Sequence, residues 1–340
     1  MSGLGFAVAV GSQSARWPAS DGTLELLELE CCTGVGGGWA RLRLGPPQGE
    51  APTAGDRVTI HLDDGSGERP VFTGELDHVG ATPTAWRLRA HDGLPRLARL
   101  ELERVWTDTT ADAVLRDLLT AASLTVGSIC SGPALRVFHA LRGARGLRLA
   151  ETLLARMGAE LIIAADGKAH VLTPTPGAAQ HTLTWGEDIL DLDLTRRPPT
   201  RAGVVVHGEG ARDTLGASKA HWLPRDTTHL VGRAHIDPDG AVTTGDAATT
   251  GLTLVDGALD TAAACKAVAT AHANLLAARP IRGSLLALGR PALQPGQWLA
   301  VAGLPRDHAL ARVLADQPLR ARRVTHRFDA SSGFTTRVEL

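Results

Sequence analysis

The sequence predicts a mainly β protein with an α+β insert, in which antiparallel, barrel-like regions at the two ends flank a small α/β unit. Three observations carry this. Short runs of alternating side-chain type, parted by Gly, Pro and Asp clusters, fill residues 1–100 and return from residue 181. Helical periodicity dominates between residues 101 and 178. One strand pattern also occurs twice. Gly55-Asp56-Arg57-Val58-Thr59-Ile60 parallels Gly296-Gln297-Trp298-Leu299-Ala300-Val301, the run 74–79 parallels 323–327, and the aromatic-led run 86–90 parallels 334–338. Strand composition also repeats by accident, so the duplication is an expectation for the structure to decide.

In chain order, strands are expected at residues 4–10, 23–32, 39–44, 57–62, 71–79 and 86–91. From residue 107, Thr107-Asp108-Thr109-Thr110 supplies cap candidates, and Leu115, Leu118, Leu119 and Ala122 recur at helical spacing. A second helix is expected over 147–157, with Leu149, Leu153, Leu154 and Met157 on one face and Gly158 as its stop. It leads into a hairpin whose turn is Asp166-Gly167. Pro174, Pro176 and Gly177 mark the exit from this unit. Strands then return at 183–185, 189–195 and 203–207, and Asp260 can cap a helix over 261–278 that Arg279-Pro280 ends. Strands at 283–288, 295–301, 322–328 and 334–340 close the chain, the last two joined by Ser331-Ser332-Gly333. The expected division is a first β domain at 1–100, an α/β insert at 101–178, and a second β domain at 179–340 that carries the helix.

Composition narrows the function. With 340 residues, 44% hydrophobic and 21% charged, the chain has ordinary globular composition. A net charge of -1 removes the electrostatic argument for nucleic acid or an anionic membrane surface. Only Lys168, Lys219 and Lys266 are lysines; the arginines suit desolvated contacts between subunits, although codon bias gives the same excess. Four cysteines (Cys31, Cys32, Cys130, Cys265) make no disulfide framework. The apolar run 4–10 has no basic residue before it, so no signal peptide is expected, and no apolar stretch is long enough to span a bilayer.

Candidate chemistry is thin. Gly34-Val35-Gly36-Gly37-Gly38 lacks the helix start and the Lys-Ser/Thr of a phosphate loop, so a hairpin tip is expected. Asp237-Pro238-Asp239-Gly240 lacks the terminal Glu of a calcium loop and reads as a turn. His207, His221, His229 and His235 cluster without metal-ligand spacing, and Cys31 or Cys32 would need a base brought in by the fold to act as a nucleophile. The seven tryptophans are expected in core or interface rather than on a sugar-stacking platform. No catalytic residue, metal site or cofactor is therefore expected.

Taken in order, several segments resemble one family. They are Gly55-Asp56-Arg57-Val58, Phe72-Thr73-Gly74-Glu75-Leu76, the helix at 111–122, the segment 148–172, Pro295-Gly296-Gln297-Trp298, Val301-Ala302-Gly303-Leu304, and Val324-Thr325-His326-Arg327-Phe328 with Gly333-Phe334-Thr335-Thr336. Together they resemble the late control gene D family of baseplate hub proteins, found in contractile phage tails and injection systems and related to the hub part of the type VI secretion spike protein. The resemblance implies two tube-type barrels around an α/β domain. It also implies a homotrimeric structural adaptor between a hexameric inner tube and a trimeric spike, with baseplate wedge components and a tape-measure protein or cargo as further partners. No spike-like repeat follows residue 340, so a separate spike protein is expected. The chain is expected to be made in the cytoplasm and assembled into the baseplate of a tail-like particle. A tail-associated cell-wall hydrolase and a carbohydrate-binding β module are the alternatives, and no paired carboxylates favour the hydrolase.

Overall fold

The computed structural model describes the chain except residues 1–3, 20–23, 48, 176, 198–200, 209–229, 239, 246–250, 279 and 315–316. The first β region comprises β1 (Gly5–Val10), β2 (Gln13–Trp17), β3 (Glu25–Gly34), β4 (Trp39–Gly45), β5 (Arg57–Asp63), β6 (Arg69–Ala81) and β7 (Trp86–His91). Alternation drives each strand. In β5, for example, Val58, Ile60 and Leu62 are fully buried while Arg57, Thr59 and His61 turn outward. All pairings here are antiparallel, in the order β2-β1-β5-β6-β7-β4-β3.

The middle of the chain forms α1 (Leu94–Arg99), β8 (Arg104–Thr110), α2 (Ala111–Ala121), β9 (Val126–Ile129), β10 (Ala134–Ala140), α3 (Gly146–Met157), β11 (Glu160–Ile163) and β12 (Ala169–Leu172). Helix α2 buries Val114, Leu115, Leu118 and Leu119, the periodic positions, while Thr107 to Thr110 prove to be strand. The three β-branched threonines of that run favour the pleated conformation over a capping loop, and the Thr110 side chain makes no cap bond. Gly158 ends α3 at φ +60°, and a Cβ there would meet the Ala271 carbonyl oxygen at 2.6 Å.

The remainder forms β13 (His181–Thr184), β14 (Ile189–Arg196), β15 (Gly203–Gly208), β16 (Val231–Ile236), β17 (Val242–Thr244), β18 (Leu252–Asp256), α4 (Ala262–Ala277), β19 (Ile281–Leu288), β20 (Trp298–Ala302), α5 (Ala309–Leu314), β21 (Leu319–Arg320), β22 (Arg323–Asp329) and β23 (Gly333–Glu339). Thr261, not Asp260, caps α4, its hydroxyl accepting from the Ala264 N–H at 3.1 Å. Helix α4 lies on the sheet β17-β16-β15-β18. Its backbone comes so close to β16 that a Cβ at Gly232 would sit 2.2 Å from the Lys266 nitrogen, so only glycine fits.

One hydrophobic core unites Leu94 to Val171 with Val204 to Ala273, so α4 and its sheet share a core with α2 and α3 rather than with β19 and the strands that follow it. The bidentate pair between Arg156 of α3 and Asp256 of β18 fastens the two stretches at 2.5 and 2.8 Å. Two further cores fill the β regions.

The two β regions are joined edge to edge. β22 pairs antiparallel with β3, from Arg323 opposite Gly34 to Asp329 opposite Glu28, giving one eleven-stranded sheet in the order β14-β19-β23-β22-β3-β4-β7-β6-β5-β1-β2. The structure departs here from the expected pair of barrels. The long sheet is open and strongly curled, and the described residues do not show a second full barrel: β20 sits with β13 and β21 in a separate three-stranded sheet. The cause is a change of partner. Ala321 exchanges hydrogen bonds with Gly296 and Gln297 on the β20 side, whereas the Arg322 N–H donates to Glu339 and the Arg322 carbonyl accepts from Val35.

The same strand path nevertheless occurs twice. β6 pairs with β5 through its first half and with β7 through its second. The run 319–329 likewise pairs first with β20 and then with β23. Beside β7 lie β4 and then β3; beside β23 lie β19 and then β14. In the first copy β3 and β4 are joined by the short glycine loop, and in the second the corresponding link carries β15 to β18 and α4.

Candidate functional site

The chemical candidates resolve into structural roles. In the glycine loop, the Gly38 N–H donates to Asp92 Oδ2, and the Leu94 N–H donates to Asp92 Oδ1 at 2.9 Å. A carboxylate from the chain itself thus occupies the place an anion would take. Burial pushes the Asp92 carboxyl up to about 6, against the two amide bonds. Cys31 and Cys32 face opposite sides of β3, both buried, and burial drives both thiols upward, away from the depressed pKa a nucleophile needs.

His207 lies on β15, next to its last residue, and His235 lies on β16 with Nε2 3.3 Å from Asp237 Oδ1; His221 and His229 lie outside the described residues. The run from Asp237 to Gly240 is a turn closed by the Gly240 N–H on the Asp237 carbonyl, with Asp239 outside the described residues. Among the described residues no three His, Cys, Asp or Glu side chains could hold a metal ion. No helix among them is long and apolar enough to cross a membrane. Of the tryptophans, Trp106 is buried and Trp17 is exposed, while Trp39, Trp86, Trp185 and Trp298 are half-buried.

What the fold assembles instead is a broad polar face. Eight strands from β14 to β6 turn one side away from the apolar core, largely exposed although Cys32 on it is buried, and their registers place matching residues in rows. Asp191 stands opposite Leu286, then follow Arg337, Thr325, Cys32, Trp39 and His91. In the next row lie Thr335, Arg327, Glu30, Arg41, Arg89 and His78, and in the next Glu28, Arg43, Arg87 and Gly80. The opposite side of the same strands is apolar, with Leu29, Leu42, Leu88, Val324, Val338 and Leu285 buried. Charges of opposite sign mostly alternate across the face, as in Glu30–Arg41 at 3.9 Å, Glu28–Arg43 at 3.7 Å and Asp77–Arg89 at 3.0 Å. Strands β4 and β7 break the rule by setting Arg41 against Arg89 and Arg43 against Arg87. Like charges directly opposite weaken a ladder, so neighbouring acids are needed.

A buried charge cluster anchors this face to the insert. Glu160 at the start of β11 pairs with Arg320, both almost wholly buried, and its second oxygen lies 3.4 Å from Arg322. Val35, which bridges to Ile162, donates its N–H to the Arg322 carbonyl at 3.0 Å. First β region, second β region and insert meet at these few residues. His326, buried beneath the face with Nδ1 3.0 Å from Thr336 Oγ1, is held neutral, burial lowering it to about 4.

Sequence reasoning did not bring these groups together. The Arg41-Leu42-Arg43 and Arg87-Leu88-Arg89 runs show the alternation, but only the fold sets them side by side.

No protein-family profile and no curated protein matches the chain. Solved structures do. Over 98% of its length the chain is similar to the 43 kDa tail protein of prophage MuSo2 from Shewanella oneidensis, covering 97% of that protein at 11% identity and a TM-score of 0.63. Over 99% of its length it is similar to the tail protein from Neisseria meningitidis MC58, covering 96% of it at 14% identity and a TM-score of 0.65. The fold is that of phage tail proteins. The tail-protein fold extends to the E. coli c3393 protein, a type VI secretion system component described as similar to the T4 tail proteins gp27 and gp5. The chain matches it over 98% of its own length and 75% of the other, at 10% identity and a TM-score of 0.53. The likeness expected from the ordered segments holds at the level of fold.

Proposed function

We propose that three copies of this chain form the baseplate hub of a contractile tail or injection system, a non-catalytic ring joining a hexameric inner tube to a trimeric spike. The observation that carries this reading is the strand path written twice in one chain and laid side by side in one sheet. A threefold ring of such chains offers six comparable units on one rim, which fits a sixfold partner, while its true threefold symmetry fits a trimer. In this reading the two β regions act as tube-like units, and the polar face lines the channel. The inner tube protein, the spike, wedge components and a tape-measure protein or cargo are its partners, and the baseplate is its place. Of the expected domains, 1–100 and 101–178 are kept. Within 179–340, the stretch 203–278 is assigned to the middle unit, whose core it shares.

The test is the mass of the purified protein in solution, alone and with tube and spike proteins. A trimer, alone or in the assembly, is expected. A stable monomer that joins neither partner and cleaves peptidoglycan in a zymogram would overturn the proposal.

A further inference from the structure

The polar face ends at two hydrogen-bonding edges that the described residues leave open. β5 accompanies β6 only as far as Leu76, whose N–H donates to the Asp56 carbonyl at 2.8 Å. From Asp77 to Ala81, β6 is paired on its β7 side alone. At the far end, β14 forms a ladder only with β19; on its outer edge a lone bridge joins Ile189 to Trp185, and the Leu192 N–H donates to Asp191 Oδ1 at 2.9 Å. Neither edge carries a lysine or proline; each has one bulge, at Leu190 of β14 and at Asp77 of β6, and Leu190 is 52% exposed.

The charges at the two edges match. Arg87 is exposed and, unlike Arg41, Arg43 and Arg89, has no hydrogen-bond or ion-pair partner among the described residues. It stands opposite Gly80, which puts no side chain of its own between Arg87 and the edge of β6, although His78 Nε2 lies 3.7 Å from where a Cβ would be. Nothing within the chain calls for glycine there. Its φ is ordinary, and an added Cβ would meet its nearest neighbours at 3.7 Å, so the missing side chain leaves room rather than relieving a clash. On β14, Asp191 and Asp193 are exposed on the same face at i, i+2 spacing; neither has a cationic partner among the described residues, and Asp191 Oδ1 accepts from the Leu192 N–H. Every ladder from β14 to β6 is antiparallel and the strands number eight, so a second copy's β14 laid against β6 continues the alternation. Two strand spacings, about 9.6 Å, then separate Arg87 from those aspartates, a gap the long guanidinium side chain and a carboxylate close from both sides.

We infer that β14 of one copy pairs antiparallel with residues 77–81 of the next, and that Asp191 and Asp193 supply the carboxylates Arg87 lacks. This rests on the trimer proposed above and names its contact. The contact is head-to-tail, since different surfaces meet, and it closes into a ring rather than a twofold dimer.

Sedimentation of the full chain tests it, with wild type, Arg87→Glu, the double variant Asp191→Arg/Asp193→Arg, and the triple variant combining them. Each reversal alone is expected to raise the trimer dissociation constant roughly 100-fold, because like charges meet at the contact. The triple variant is expected to restore it, and melting temperatures read at concentrations where every variant is dissociated should stay level, because all three side chains are exposed. Both reversals sedimenting as wild-type trimers would overturn this contact while leaving the trimer intact. A reversal that weakens the trimer without rescue by the triple variant also overturns it. A wild type that stays monomeric even with tube and spike proteins overturns the trimer itself.

Discussion

Removing Glu160 should destabilise the protein more than any exposed charge change. Its carboxylate is 5% exposed and faces Arg320, 6% exposed, with Arg322 3.4 Å from its other oxygen. Glu160→Ala leaves a buried guanidinium with no anion to offset its desolvation, which costs roughly 3–5 kcal/mol. Replacing both partners, Glu160→Met with Arg320→Met, removes the stranded charge and fills the space with apolar atoms. That double variant should fall within about 1–2 kcal/mol of wild type, while Arg322 turns toward solvent. Urea titration at pH 7 followed by fluorescence and circular dichroism gives the midpoints. Amide exchange at Val35, whose N–H donates to Arg322, reports on the junction itself and should quicken in Glu160→Ala. A loss below about 1 kcal/mol in the single variant, or a double variant as unstable as the single, would refute the reasoning that the junction is held against an uncompensated charge.

Between pH 4 and 6.5 two buried groups should pull stability in opposite directions. Asp92, raised to about 6, favours folding below the ordinary carboxylate range, and that stability is lost as pH rises through 6. His326, lowered to about 4, favours folding above the ordinary imidazole range, and that stability is lost as pH falls toward 4. Each is worth at most roughly 3 kcal/mol, so they nearly cancel. Asp92→Asn should expose the histidine dependence as a fall in melting temperature on acidification, and a variant as flat as wild type would count against it. Gly158→Ala should cost roughly 2–3 kcal/mol by calorimetry, from the left-handed φ and the collision with the Ala271 carbonyl; a loss under about 0.5 kcal/mol would remove the close approach of α3 to α4. Phe334→Ala should cost roughly 3–5 kcal/mol in the same assay, because its ring is buried at the seam between the β regions, 6.0 Å from Phe328. Half-buried Trp298 should lower the melting temperature less than Phe334 does, and the reverse order would misplace the core.

Local order was legible in the residues. The apolar stripe of α2, the Gly158 stop of α3, the Asp166-Gly167 turn and the Ser331-Ser332-Gly333 turn all lie where spacing put them, because each is decided within a few residues. Helices α1 and α5, six residues each, are too short to show a period. Non-local decisions were not legible. β3 and β22 come from opposite ends of the chain, and their pairing depends on matching edges rather than on either sequence alone. Helix α4 is alanine-rich with a weakly one-sided pattern, so its own residues do not say which core it joins; the shared sheet and helices decide that. The opposed arginines of β4 and β7 and the lone Arg87 follow from register, which a single strand does not encode.

Cryo-electron microscopy of the purified assembly, viewed down its axis, bears most directly on whether one chain supplies two alike units to a ring. Three chains arranged around a polar channel, with six comparable lobes at the rim and the β3·β22 ladder joining them in pairs, are the predicted result. A single chain per particle, or a ring of three lobes in which the 319–340 strands lie away from the 69–91 strands, would contradict it.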